Sequence, residues 1–181
     1  MEIRLASIHV QPDSVVDGPG IRGVIWTQGC PHHCKGCHNP ITHSFDGGFL
    51  VDIEDVKKEI SELKNHTGIT FSGGDPMMQP KECIELAKYS KSLGYNIWCY
   101  TGFNFEDLKN EQLKFLEYID VLVDGKFELA QKSLNLRFKG STNQRVIDIP
   151  ATLKNGSVVL LDGFNTIKTY QPIYQKPEGV F

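Results

Sequence analysis

Predicted strands and helices alternate along most of this chain, and that alternation restricts the fold more than any other feature. Apolar runs predict four strands, which begin near residues 21, 69, 95 and 119. Apolar residues at helical spacing predict three helices, at about 53–63, 80–93 and 108–118. Repeated strand–helix–strand units build parallel sheets with right-handed crossovers. The sequence therefore predicts an α/β fold with mainly parallel strands.

The chain length limits how far such a sheet can close. A complete eight-stranded barrel typically takes ~250 residues, whereas this chain has 181. We therefore expect a partial, open (β/α) barrel that forms a single domain over residues 1–181. Residues 40–50 are predicted as loop, and two weaker strand candidates lie at 145–149 and 158–161. The last thirty residues, with Pro172 and Pro177, carry no assigned role.

Charge and hydropathy exclude several classes of partner. The 19 basic and 22 acidic side chains give a net charge of −3, which argues against a broad face for nucleic acid. Apolar runs are only a few residues long, so no membrane span is predicted. The first residues lack the basic patch and following apolar run that an export signal would have. We therefore expect a cytoplasmic protein with neither a nucleic acid nor a membrane as partner.

The cysteines point to a metal or cluster site. The chain has five, and three of them form a Cys-x3-Cys-x2-Cys motif directly after the first strand: Cys30, Cys34 and Cys37. An odd and clustered set argues against a disulfide framework. Soft thiolate ligands suit iron–sulfur clusters and zinc. Cys83, on a core-facing helical position, and Cys99, on a later strand, do not belong to this motif.

Three kinds of site remain open for these thiolates. A structural zinc site would need one histidine as the fourth ligand, and the motif has several candidates nearby: His32, His33, His38 and His43. A simple electron carrier would need an unusual fourth ligand for its cluster. A cubane cluster with one open iron would instead offer a reactive position, as an open coordination site does in catalytic zinc enzymes.

Polar or glycine-rich segments follow three of the predicted strands, at residues 30–37, 72–76 and 124–126. In α/β folds the carboxyl ends of parallel strands carry the chemistry. In the second segment, Gly73 and Gly74 have no side chain to obstruct a ligand near the backbone. We therefore expect these segments to share one site.

The cysteine motif after the first strand resembles that of the radical S-adenosylmethionine (SAM) superfamily. There, the amino and carboxylate groups of SAM chelate the fourth iron of a 4Fe-4S cluster. Ser72–Pro76 resembles the Gly-Gly-Glu-Pro segment that contacts the SAM amino group, which implies cofactor binding by Gly73, Gly74 and Asp75. The chain departs from the pattern at Asp75, in place of Glu, and at Gly36, where many members carry an aromatic residue.

Other segments resemble the activases of glycyl-radical enzymes. They include Asp17–Arg22, which reads Asp-Gly-Pro-Gly-Ile-Arg, and Cys37–Pro40, which implies that His38 and Asn39 border the cofactors. Tyr100–Phe103 and Arg137–Arg145 are similar to the activating proteins of anaerobic (class III) ribonucleoside-triphosphate reductase.

The fourth predicted strand adds one more likeness to these activases. Asp124 and Lys126 resemble an Asp-x-Lys pair that helps to hold the amino-acid end of SAM. Arg137 and Arg145 are equally compatible with surface charges.

The resemblance implies an oxidoreductase whose chemistry belongs to its cofactors. A reduced 4Fe-4S cluster would cleave SAM to methionine and a 5′-deoxyadenosyl radical. This radical would take hydrogen from a glycine of the reductase and leave a glycyl radical there. No side chain needs to act as a general acid or base, and a small reductant protein such as flavodoxin would supply the electron. The alternative target is another glycyl-radical enzyme, such as pyruvate formate-lyase.

Overall fold

A computed structural model describes residues 1–166 of the chain. One sheet contains eight strands: β1 (Glu2–Leu5), β2 (Gln11–Ser14), β3 (Arg22–Thr27), β4 (Phe49–Asp52), β5 (Gly68–Gly73), β6 (Asn96–Tyr100), β7 (Val121–Asp124) and β8 (Arg145–Asp148). Four α-helices accompany it: α1 (Ile53–Glu62), α2 (Pro80–Ser92), α3 (Glu111–Leu116) and α4 (Ile149–Asn155). No helix within the described residues is long and apolar enough to cross a membrane.

The centre of the sheet is parallel and its flanks are antiparallel. The strand order is β4-β1-β3-β5-β6-β7-β8, with β2 also paired to β3. Strands β3, β5, β6 and β7 run parallel, whereas β1, β2, β4 and β8 pair antiparallel with their neighbours. The predicted open α/β fold is confirmed, with the four predicted strands at its parallel centre.

The antiparallel flank at the amino-terminal end was not predicted. Residues 40–50 were expected to be loop, but Phe49 begins β4, and Pro40–Thr42 form a short 3-10 helix. Phe49 and Leu50 are exposed, so β4 lacks the alternation of buried and exposed residues that marks a strand in sequence. Its pairing with β1 along four residues supplies the order instead.

The helices bury one face of the sheet. As predicted, α1 begins after Asp52, whose carboxylate accepts a hydrogen bond from the Glu54 backbone N–H. Helix α3 is shorter than predicted because Leu108 is extended, with a ψ of 143°, and Asn110 has a positive φ of 50°. These backbone angles prevent a regular α-helix from starting before Glu111.

A second, smaller core lies around Trp98, with Val121, Val123 and Val146 buried beside it. The Phe138 and Phe164 rings pack edge-on against Trp98, at centroid distances of 5.7 Å each. Through Phe138, this core therefore anchors part of the long segment between β7 and β8.

The two weaker strand candidates have different outcomes. Residues 145–149 contain β8, whereas 158–161 contribute only an isolated bridge between Leu160 and Ile147. The predicted domain of residues 1–181 extends past the described part of the chain, as do Pro172 and Pro177, so its full extent stays a prediction.

Candidate cofactor site

The three motif cysteines line one open cleft at the carboxyl ends of the parallel strands. The cleft has a volume of about 730 Å³ and is also lined by Gly73 and Gly74. Ligand pockets usually span roughly 300–1,000 Å³, so it has room for a cofactor. Two of the predicted strand-end segments therefore meet at the same site, and Gly125 of the third also lines it.

Backbone hydrogen bonds shape the loop that carries the cysteines. The Cys30 N–H donates to the His43 carbonyl at 3.1 Å, and the Cys37 N–H donates to the Cys34 carbonyl at 3.1 Å. Cys30 is buried, while Cys34 and Cys37 are partly exposed. The three thiols therefore lie at different depths in the wall of the cleft.

Gly36 has a local reason to depart from the aromatic residue of many radical SAM proteins. Its φ is +76°, in the left-handed region that side chains rarely adopt. A Cβ there would also lie 3.1 Å from Leu129 Cδ1. This loop conformation therefore favours glycine.

Burial raises the pKa of the Cys30 thiol above its usual value, while the His32 backbone N–H favours the thiolate and opposes that rise. Burial also raises the pKa of Cys34. A bound cation would stabilise both thiolates, because metal-bound thiols are deprotonated. The cleft therefore supplies desolvated sulfur ligands that need a positive partner.

The residues present fit a cluster. In each cubane the cysteines bind different iron atoms, so their sulfurs need not converge on one point. Within residues 1–166, no three His, Cys, Asp or Glu side chains are arranged to hold a single metal ion. His43 Nε2 is buried without a hydrogen-bond partner among these residues, and His43 lines the cleft with the cysteines. A cluster sulfur is the kind of acceptor that would satisfy this atom.

Gly73 ends β5 and Gly74 follows it, and both glycines are needed mainly for backbone packing. A Cβ on Gly73 would lie 2.5 Å from the Thr27 carbonyl oxygen, and one on Gly74 would lie 2.5 Å from the Gly29 carbonyl oxygen. The Gly74 N–H donates to Thr27 at 2.7 Å. The expectation that the missing side chains leave room for a ligand is thus incomplete, since the same positions also hold β5 against the cysteine loop.

The predicted cofactor residues differ in how they face the cleft. Asn39 and His38 line it, and the His38 ring lies 5.3 Å from the Phe127 ring. Asp75 and Asp124 are buried and bonded to other residues, and Lys126 is exposed; none of these three lines the cleft. A role for each in cofactor binding stays a prediction.

Asp124 is held by Arg145, a residue that the sequence alone makes equally compatible with a surface charge. The Arg145 Nε donates to Asp124 Oδ1 at 3.0 Å, and its other nitrogens bond Glu106 at 3.0 and 2.7 Å. The two hydrogen-bonded carboxylates raise the pKa of Arg145. Arg145 therefore fixes the end of β7 to the turn before α3.

The cleft contains a cation that sequence reasoning missed. Lys139 lines it and donates from Nζ to the Gln144 carbonyl at 2.7 Å. Burial lowers the pKa of Lys139. Gln144 in turn accepts from the Gly140 and Ser141 N–H groups, at 2.9 and 3.1 Å, and donates to the Gly125 carbonyl. The Ser-Thr-Asn-Gln-Arg stretch thus shapes the loop that presents Lys139.

Comparison with known proteins shows the general class to which this protein belongs. Residues 16–147 match the family model described as "4Fe-4S single cluster domain". The chain is therefore an iron–sulfur cluster domain protein, which favours a cluster over the zinc alternative for the cysteine cleft.

Its relatives then define the particular family. The chain is 37% identical over 146 residues to the anaerobic ribonucleoside-triphosphate reductase-activating protein of Haemophilus influenzae, covering 76% of this chain and 94% of that protein. The protein of the same name from phage T4 is 38% identical over 144 residues, covering 76% and 90%. That of Escherichia coli K12 is 34% identical over 144 residues, covering 75% and 93%. The chain thus belongs to the anaerobic ribonucleoside-triphosphate reductase-activating protein family.

One solved structure is also similar. Escherichia coli QueE matches with a TM-score of 0.48 and 14% identity, covering 66% of this chain and 69% of that one.

Proposed function

We propose that this chain is an enzyme that activates an anaerobic ribonucleoside-triphosphate reductase by forming a glycyl radical on it. The observation that carries the proposal is the shared cleft, in which three thiols meet the Gly73–Gly74 segment within a chain of the activating-protein family. When bound, a reduced 4Fe-4S cluster and SAM supply a 5′-deoxyadenosyl radical and methionine. The hydrogen that this radical takes comes from a glycine of the reductase.

The chain's own residues provide placement in this proposal. Cys30, Cys34 and Cys37 would hold the 4Fe-4S cluster through their thiolates, and SAM would bind beside it. Gly73 and Gly74, which line the cleft, would bind the amino-acid end of SAM. Such oriented groups hold the reacting bond in one geometry and reduce the entropic part of the barrier.

One wall of the cleft offers a cation for the carboxylate group of SAM. Lys139 provides a half-buried cation for the carboxylate, and this is a stronger position than that of the exposed Lys126. His38 and Asn39 line the cleft beside the cysteine loop, where they would border the cofactors. No side chain is assigned as a general acid or base.

The open side of the cleft admits the partner in this proposal. A glycine-bearing loop of the reductase would enter there and complete the enclosure. A reductant protein such as flavodoxin would deliver one electron to the cluster. We propose a cytoplasmic location for all three proteins and a single activase domain over residues 1–181.

Anaerobic reconstitution tests the function. We expect a brown protein with about four irons per chain, which cleaves SAM to 5′-deoxyadenosine and methionine when reduced. With the reductase present, a glycyl-radical doublet should appear in the EPR spectrum, dependent on SAM and reductant. A loaded cluster that never cleaves SAM would instead favour an electron carrier. A radical formed on pyruvate formate-lyase but not on the reductase would favour the alternative target.

A further inference from the structure

The Asp75 carboxylate is completely buried, with 0% of the residue exposed. It accepts hydrogen bonds from four groups on three segments. Thr101 Oγ1 lies 2.9 Å from both oxygens, the Gly102 N–H donates to Oδ2 at 3.0 Å, and the Met77 N–H donates to Oδ1 at 2.9 Å. The fourth partner is His32, whose Nε2 lies 2.6 Å from Oδ2.

These contacts occupy the hydrogen-bond acceptor sites of the Asp75 carboxylate. An ionised carboxylate offers about four lone-pair sites, and the four donors around Asp75 occupy them. The ammonium of SAM would have to displace one of them and leave a buried donor unpaired, which is costly. The aspartate side chain, one methylene shorter than glutamate, is directed into the protein and does not line the cleft.

His32 connects this buried carboxylate with the cluster loop. Its ring is 6% exposed and packs edge-on against Phe103, with centroids 4.6 Å apart. Since an ionised carboxylate only accepts, His32 Nε2 is the donor. In sequence, His32 lies in the cluster loop between Cys30 and Cys34. One residue of the cysteine loop thus contacts the segment after β5 directly.

The segment after β6 is built to receive this ring. A Cβ on Gly102 would lie only 2.3 Å from His32 Cδ2. Gly102 therefore leaves the space that the imidazole fills, and its own N–H reaches the same Asp75 oxygen. Three separate loops are tied at one carboxylate.

We propose that Asp75 is an internal anchor and not a ligand of SAM, and that His32 is the positioning residue that fixes the cysteine loop against the Gly-Gly segment through it. This inference rests on the proposed function for its consequence, since the spacing of these two loops sets where SAM meets the cluster. The resemblance implied cofactor binding by Asp75 together with Gly73 and Gly74, and this inference gives the Asp75 side chain a different role.

The first experiment compares His32→Ala, His32→Gln and a control, His9→Ala, which removes an exposed histidine paired to Glu59 at 2.8 Å. Binding of S-adenosylhomocysteine and the SAM-induced change in the EPR spectrum of the reduced cluster are measured on protein matched for iron content. His32→Ala should weaken binding about tenfold and alter that spectral change. His32→Gln keeps an N–H donor and should restore both, and His9→Ala should match wild type. Wild-type values for His32→Ala would overturn the positioning role.

The second experiment uses cluster-free protein and so does not depend on SAM cleavage. If Asp75 is an internal anchor, Asp75→Asn should lower Tm by about 5 °C or more. His32→Ala should then cause little further loss of Tm in the Asp75→Asn background. If Asp75→Asn fails to fold, Thr101→Val replaces it, because it removes one of the four donors. An unchanged Tm in the variant used would overturn the anchor. Wild-type protein that binds no cluster would refute the proposed function, but it would not affect the measured coupling between Asp75 and His32.

Discussion

Two fully buried charges lie at opposite ends of the parallel strands, and they have different kinds of partner. Arg22 opens β3 at the amino end and donates to the carbonyls of Ile69 and Asn96, at 2.8 and 2.9 Å, and to Thr70 Oγ1 at 2.7 Å. Asp75 follows β5 at the carboxyl end and binds loops. The cation therefore joins neighbouring strands, whereas the anion joins the loops that surround the cleft.

The difference in partners has an energetic basis. The acceptors named for Arg22 are all neutral, and burial lowers its pKa to about 10. Its guanidinium also lies 5.7 Å from the Trp98 ring centroid, where a cation–π contact offsets part of the desolvation. Asp75 instead receives a donor from the cysteine loop, His32. We infer that Arg22 contributes to the stability of the sheet and Asp75 to the geometry of the site.

The largest expected effect comes from the cysteines, which act only at the carboxyl end. Cys30→Ser, Cys34→Ser and Cys37→Ser should each abolish cluster assembly and SAM cleavage, with at least a hundredfold loss of activity, and leave the Tm of cluster-free protein within about 2 °C. Iron analysis and 5′-deoxyadenosine release measure this. Cys83→Ala is the control: Cys83 is buried in the core, so it should keep the cluster. Loss of iron in Cys83→Ala would contradict the ligand assignment.

Arg22→Met should show the opposite pattern. Removal of the guanidinium leaves buried carbonyls unpaired and should lower the free energy of unfolding by about 3 kcal/mol. Denaturant unfolding of cluster-free protein measures the change, with Arg4→Met as a control, because Arg4 is only partly buried. The folded fraction should bind S-adenosylhomocysteine normally. A large loss of affinity with little change in stability would contradict the inference that Arg22 stabilises the sheet whereas Asp75 sets the geometry of the site.

Gly102→Ala should affect the site more than the stability. The new methyl group would displace the His32 ring and should weaken S-adenosylhomocysteine binding about threefold to tenfold. The same substitution in a His32→Ala background should have no further effect, because the ring is already absent. Calorimetric titration of the four proteins measures this. Equal losses in both backgrounds would mean that Gly102 acts independently of His32.

The smallest effect concerns the exposed ion pair beside Asp124. The hydrogen bonds from Arg145 lower the pKa of Glu106, so this pair stabilises the fold at neutral pH and loses that effect as the carboxyl is protonated in acid. Glu106 is 57% exposed, so Glu106→Gln should cost only about 0.5 kcal/mol at pH 7. The variant and wild type should converge near pH 3. A constant difference across that range would exclude this pair as the cause.

Much of this architecture could be predicted because its signals are local. Apolar periodicity placed the four parallel strands and the first two helices, and motif spacing placed Cys30, Cys34 and Cys37 in one loop. The antiparallel flank escaped prediction because Phe49 and Leu50 are exposed and β4 is ordered by pairing with β1. The shorter α3 escaped because the positive φ of Asn110 carries no clear sequence signature.

By itself, the sequence determined the class of fold, the three thiols and the likeness to one activase family, because each depends on neighbouring residues or on spacing within one segment. Only the tertiary structure decided what Asp75 does. Its partners His32 and Thr101 lie 43 and 26 residues away in sequence, and nothing in the Ser-Gly-Gly-Asp-Pro segment indicates that its carboxylate is directed inward. The reason is physical: parallel strands bring distant loops to one edge of the sheet, and a buried carboxylate there must take its donors from whichever loops the fold brings together.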